Sequence, residues 1–104
     1  MTSTLIPVPE LRAVLDEQRR FRLEQLAALS RPGTSDPARD QIHAALMIAA
    51  CRALADIEAA LHRIDTGRYG ECVQCAEQIP VERLQVIPQA AMCAPCQRAA
   101  DLDT

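Results

Sequence analysis

The sequence predicts a mainly α-helical protein. Two long helices fold back as an antiparallel coiled-coil hairpin. A small four-cysteine base follows and ends in a short C-terminal helix. Three observations predict this. Met47, Ala50, Leu54, Ile57, Leu61 and Ile64 follow a 3-4-3-4-3 spacing, the heptad pattern of a helix–helix seam. Two CxxC pairs, Cys72/Cys75 and Cys93/Cys96, stand seventeen residues apart. The chain has one Phe, one Tyr and no Trp. A core without aromatic bulk must use Ala, Leu, Ile and Val, which suits helix seams better than a sheet sandwich.

At 104 residues the chain is one domain, or one small domain plus an extension. Residues 1–8 read as a tail, because Pro7 and Pro9 can precede or begin a helix but cannot sit inside one. Residues 9–30 are rich in Leu, Arg, Glu, Gln and Ala, all good helix formers. Their apolar positions are Leu11, Val14, Leu15, Phe21, Leu23, Leu26 and Leu29, interrupted by Gln18, Arg22 and Gln25. Helix is clear from this pattern; its register is not.

Arg31-Pro32-Gly33-Thr34-Ser35-Asp36-Pro37 is a breaker cluster. Ser35 or Asp36 can cap the next helix, with Pro37 in its first turn. That helix is predicted over residues 37–65, with Leu46, Ala53 and Ala60 flanking the seam. Its roughly 42 Å exceeds the roughly 32 Å of the first helix. Two helices joined by a short loop pack antiparallel. The hairpin therefore covers residues 9–65, with its tip near 31–40.

Gly67 and Gly70 stop the second helix. Residues 66–104 form the cysteine module and the C-terminal helix. Pro80, Pro88 and Pro95 keep much of its backbone irregular. A helical turn is predicted at 81–84 and a short helix at 97–102.

Two residues between thiolates let one tight turn offer both sulfurs to one ion. Two such turns make a tetrahedral four-thiolate zinc site on Cys72, Cys75, Cys93 and Cys96. Two disulfides are the alternative. A redox dithiol needs one CxxC at the start of a helix in a strand–helix unit, a context missing here. All four ligands come from protein, so no position is open for a catalytic water. The zinc is structural, and the chain is not expected to be an enzyme. Cys51 is left over; a small buried hydrophobe is its default reading. His43 and His62 stand alone, without a catalytic arrangement.

All eleven basic residues are Arg, and the net charge is -3. An acidic chain argues against general binding to nucleic-acid phosphates. No apolar run approaches the ~20 residues of a membrane span. The N-terminus lacks the basic start and apolar stretch of a signal peptide. Zinc-patterned cysteines without an export signal point to a reducing cytoplasm.

From residue 60 the chain reads Ala-Leu-His-Arg-Ile-Asp-Thr-Gly-Arg-Tyr-Gly-Glu-Cys. It continues through Ile79, Arg83-Leu84 and Pro88 to Cys93-Ala-Pro-Cys96. This closely resembles the DksA/TraR zinc-finger family over residues 60–97. Upstream the likeness is architectural. The resemblance implies a monomeric regulator of bacterial RNA polymerase whose hairpin enters the secondary channel without binding DNA. It implies that acidic tip residues act near the polymerase active site.

Tips in the family read Asp-Pro-x-Asp-Arg-Ala; this chain reads Asp36-Pro37-Ala38-Arg39-Asp40-Gln41. Asp36, Ala38 and Asp40 are the partner-facing candidates the resemblance supplies. The bland reading is that Asp36 caps a helix and Asp40 favours its positive end. The arm is about one heptad shorter than the family pattern, a loss of roughly 10 Å of reach. The positions that are basic in members responding to guanosine tetraphosphate fall here on Ala49, Arg52, Asp56 and Gln97. Only Arg52 keeps a positive charge, a weak alarmone candidate, so the expected response is weak or absent. Ala76 stands where the family has Gly; a positive φ there costs on the order of 1 kcal/mol.

Three other readings carry weight. A nucleic-acid-binding zinc ribbon would use Arg63, Arg68 and Arg83, yet the chain lacks stacking aromatics. A polymerase-binding paralogue with an inactive tip is the second. A thiol- or zinc-status sensor is the third, since thiolates oxidise.

Overall fold

The computed structural model describes residues 5–31 and 36–102. The breaker residues 32–35, with Ser35 as one proposed cap, and residues 1–4 of the tail lie outside the described residues. Among the described residues four helices follow in order: α1 (Val8–Leu29), α2 (Pro37–Asp65), α3 (Val81–Val86) and α4 (Ala94–Leu102). The fold is mainly helical, with principal extents of 60 × 32 × 21 Å. Among the described residues there is no strand, only an isolated antiparallel bridge between Glu71 and Gln78.

Local chemistry explains the ends of α2. Asp36 is its N-cap, with an extended backbone and a side chain that accepts from the Ala38 N–H at 3.1 Å. Pro37 opens the first turn, where a missing N–H costs nothing. At the far end Gly67 takes a φ of 76°. Its N–H donates to the Ile64 carbonyl at 3.2 Å, and the Arg68 N–H to the Arg63 carbonyl at 2.8 Å. This is a Schellman closure, and only Gly enters that φ cheaply.

α1 packs antiparallel on α2. Arg12 Nη1 meets Asp65 Oδ1 at 2.9 Å, and Arg19 Nε meets Glu58 Oε2 at 3.2 Å. These pairs are exposed and are worth at most about 1 kcal/mol each. All six predicted seam residues of α2 are buried or half-buried.

On α1 the register differs from the apolar reading. Leu11, Leu15, Gln18, Arg22, Gln25 and Leu29 form a buried or half-buried stripe at spacing 4-3-4-3-4, with Val8, Arg19 and Leu26 also half-buried. The polar residues that interrupt the apolar pattern are therefore seam residues. Long polar side chains bury their stems and keep their heads at the rim. Arg22 does this, donating to Gln25 Oε1 at 2.9 Å. Val14, Phe21 and Leu23 face solvent instead.

The well-packed core lies at the hairpin base. Leu15, Ile79 and Leu84 are the largest fully buried side chains. Each such burial stabilises by about 1.5–3 kcal/mol. Leu15, Ile57 and Ala60 form one cluster, flanked by Leu61, Ile64 and Tyr69. Leu11, Cys72, Ile79, Leu84 and Ala90 form a second, flanked by Ile6, Tyr69 and Met92. Tyr69 packs on both, and its hydroxyl donates to the Pro88 carbonyl at 2.8 Å.

Several boundaries move. α1 begins at Val8, and half-buried Ile6 packs on the second cluster, so the described end of the predicted tail is part of the core. α3 runs to Val86, and α4 starts at Ala94 rather than at 97. Cys51 is exposed, contrary to the buried reading. It follows the fully buried Ala50, and one residue turns a helix by about 100°, enough to leave the seam.

Candidate metal centre and hairpin tip

The first CxxC is shaped by a short folded-back segment. Cys72 N–H donates to the Glu77 carbonyl at 2.8 Å, and Ile79 N–H to the Gly70 carbonyl at 2.7 Å. Ala76 N–H returns to the Cys72 carbonyl at 2.9 Å, closing the turn that carries Cys75. Ala76 takes a φ of 64°, the strained conformation that its comparison with Gly anticipated.

The second pair lies at the start of α4. Cys93 precedes the helix and Cys96 sits in its first turn. Gln97 N–H donates to the Cys93 carbonyl at 2.9 Å. Val73 N–H donates to the Ala91 carbonyl at 2.9 Å, tying one knuckle to the approach of the other.

The four sulfurs all lie within 4.8 Å of one another. Cys75 Sγ and Cys93 Sγ are 3.8 Å apart. A tetrahedron with Zn–S bonds of ~2.3 Å has edges of about 3.8 Å. Donor set and spacing therefore fit one structural zinc ion. Bound there, the ion ties the two knuckles together.

The thiol electrostatics agree. Burial works to raise the Cys72 pKa, but hydrogen bonds from the backbone of Cys93, Cys75 and Gln74 win and lower it to about 6. Cys96 is pushed up to about 12, chiefly by its contact with the Cys93 thiol and then by burial. One thiolate forms readily and the next is resisted. A dication removes that conflict.

Spacing gave no sign of the residues that hold the loop before Cys93. Arg83 Nε donates to the Met92 carbonyl at 3.1 Å. Arg63 Nη2 reaches the carbonyls of Gln89 and Ala90, each at 3.4 Å. Burial lowers the Arg63 pKa from its usual value. Arg68 lies 3.6 Å from Glu71. All three arginines of the nucleic-acid reading thus have partners within the chain.

At the other end of the molecule, Asp36, Ala38 and Asp40 are exposed in the first turn of α2. Asp40 N–H donates to the Asp36 carbonyl at 2.8 Å. Asp36 is thus a cap, as the bland reading holds, and its carboxylate is also open to solvent. Ala49, Arg52 and Asp56 are exposed on α2. Gln97 is half-buried and donates to Asp101 Oδ1 at 3.0 Å.

Residues 67–101 match the model of the prokaryotic dksA/traR C4-type zinc finger. These residues of the chain thus form a zinc finger of the DksA/TraR type. Among its relatives is the RNA polymerase-binding transcription factor DksA of Haemophilus influenzae, 39% identical over 46 residues. That stretch is 44% of this chain and 32% of the relative. A protein of Aquifex aeolicus is 39% identical over 51 residues, 49% of this chain and 35% of its own length. The chain thus spans about a third of the length of these curated relatives. Solved structures extend the likeness of fold to the hairpin. The DnaK suppressor protein of Agrobacterium tumefaciens superposes with a TM-score of 0.72, covering 94% of this chain and 97% of its own, at 24% identity. DksA2 of Pseudomonas aeruginosa gives 0.69 over 91% and 83%, also at 24% identity. Among the described residues, no helix is long and apolar enough to cross a membrane.

Proposed function

We propose that this protein regulates bacterial RNA polymerase from the secondary channel, with the hairpin tip directed at the active site. The observation that carries this is the pairing of a DksA/TraR-type zinc finger with a narrow two-helix arm ending in exposed carboxylates. A rigid base positions the arm, and the arm presents Asp36 and Asp40. Carboxylates near a polymerase's catalytic metal ions can alter the stability of an open complex without touching DNA.

The acidic net charge and the internal engagement of Arg63, Arg68 and Arg83 speak against DNA contact. The reading is of a cytoplasmic monomer without catalytic activity. Guanosine tetraphosphate has little to hold it, since Ala49, Asp56 and Gln97 supply no cation and Arg52 supplies one.

The test is association with bacterial core polymerase, followed by transcription from a ribosomal-RNA promoter with and without guanosine tetraphosphate. Binding, with altered open-complex lifetime and little alarmone effect, is the expected result. No association at micromolar concentrations would overturn the proposal.

A further inference from the structure

The hairpin arm runs into the zinc base through the turn at Gly67. Apart from its chain neighbours, nothing lies within 4 Å of where a Cβ at Gly67 would sit. A turn in open space does not fix the direction of a long arm. The apolar clusters hold arm and base together, but apolar contact is non-directional. Direction has to come from hydrogen bonds, which prefer particular angles.

Those bonds converge on the loop between α3 and Cys93. Each of the five consecutive carbonyls from Pro88 to Met92 accepts from elsewhere in the chain. The Tyr69 hydroxyl donates to Pro88 at 2.8 Å. Arg63 Nη2 is shared between Gln89 and Ala90, at 3.4 Å each. Val73 N–H donates to Ala91 at 2.9 Å, and Arg83 Nε to Met92 at 3.1 Å. Pro88 and Ala90 are buried, where a carbonyl without a partner is costly. Of these donors only Arg63 belongs to the arm; it lies in the last turn of α2, before Gly67. Tyr69, Val73 and Arg83 all lie beyond that turn, in the base. Arg63 therefore reaches across the joint. It is half-buried, and a guanidinium drawn out of water is retained where its donors are used. The loop it holds ends on Cys93, one of the four clustered thiols.

We propose that Arg63, supported by Tyr69, is a positioning residue that couples the four-thiolate site to the direction of the hairpin arm. When the four thiolates are gathered, Cys93 anchors the loop from one end. The carbonyls of Gln89 and Ala90 then stand where Arg63 can hold them. When the thiolates are released, the loop loses that anchor, Arg63 loses its acceptors, and the arm swings about Gly67 while staying helical. The coupling is reciprocal: whatever zinc contributes to the arm's direction, Arg63 contributes to zinc retention. The proposal concerns the joint itself and stands whether or not polymerase is the partner.

The test uses the full zinc-loaded chain and two readouts. One is the rate of zinc release to a chromogenic chelator. The other is the set of amide residual dipolar couplings, which should fit one common alignment for arm and base in the unaltered chain. Arg63→Met keeps the apolar stem and removes the donors. It should release zinc about tenfold faster, in the range that supporting groups around a metal site contribute. Its arm and base should no longer share one alignment. Arg63→Lys keeps the charge without the planar fork and should fall between. Tyr69→Phe removes one bond to the same loop and should speed release about threefold. Leu54→Ala weakens the seam of the arm without touching the loop. It should lower the thermal midpoint yet leave zinc release and the common alignment unchanged, which separates positioning from a general loss of stability. A retained helical circular dichroism spectrum shows that Arg63→Met is folded; if it is lost, Arg63→Lys carries the comparison. Unchanged zinc release in the folded Arg63 variant overturns the proposal. So does one common alignment retained in that variant, or release from Leu54→Ala that is equally fast.

Discussion

Ile6 lies over Gly70, occupying the space in which a side chain at that position would begin. Gly70 also takes a φ of 88°. The segment leading into helix α1 and the approach to the first zinc knuckle are thus built against each other. Gly70→Ala should therefore be destabilising by about 1–3 kcal/mol, from a left-handed backbone and a displaced Ile6. Thermal unfolding of Gly70→Ala, Ile6→Ala and the double variant separates the two terms. The double variant should recover the steric part and keep the backbone part. Purely additive losses would mean that the contact carries no energy.

Ala76 invites the opposite experiment. Its φ of 64° is costly for any residue with a Cβ. Ala76→Gly should stabilise the zinc-loaded protein by up to about 1 kcal/mol, less the added entropy of the unfolded chain. A raised midpoint in thermal or chelator-driven unfolding is the expected outcome. A lowered midpoint would show that the turn is already relaxed.

Zinc retention should depend on pH with a definite sign. Cys96, pushed up to about 12 in the metal-free cluster, must lose its proton when zinc binds. Binding therefore releases protons, and affinity falls as pH falls. Cys72, lowered to about 6, is already ionised above that value and adds one more proton below it. Chelator competition between about pH 5 and 8 should show the slope steepen near pH 6. Cys93→Ser should unfold residues 66–100 while α1 and α2 stay largely helical. Metal analysis well below one zinc per chain in anaerobically purified protein would contradict the site.

The polar seam of α1 gives a stability prediction. Gln18 is half-buried between the helices and makes no hydrogen bond among those described. Gln18→Leu should stabilise the hairpin by about 1 kcal/mol, a fraction of a full leucine burial. Ile57→Asp places a charge where a residue is 2% exposed. It should cost several kcal/mol and abolish polymerase association. Denaturant midpoints check both.

At the tip, cap and charge can be separated. Asn caps a helix as well as Asp, so Asp36→Asn should keep stability, whereas Asp36→Ala should lose about 1 kcal/mol. The double variant Asp36→Asn, Asp40→Asn should keep polymerase binding and lose most of the transcriptional effect. Unchanged transcription would leave Asp36 as a cap alone.

The sequence by itself determined the metal centre and one wall of the hairpin. Metal chemistry is local: two thiolates two residues apart must share a turn, and a tetrahedral ion needs four. The seam of α2 was equally legible, since its apolar residues keep a strict heptad from Met47 to Ile64. The register of α1 was decided only by tertiary packing. Its apolar residues supply more than one candidate stripe, and contact with α2 selected the one containing Gln18, Arg22 and Gln25. Long side chains can bury their stems and wet their heads, so polarity did not reveal the buried face. The same choice left Val14 and Phe21 in solvent, beside a groove that Glu17, Arg22 and Ala53 also line. The joining of α1 to the zinc module through Ile6, Leu11 and Tyr69 was likewise unreadable. It depends on where the antiparallel return of α2 sets down the first knuckle, a long-range relation with no local spacing to announce it.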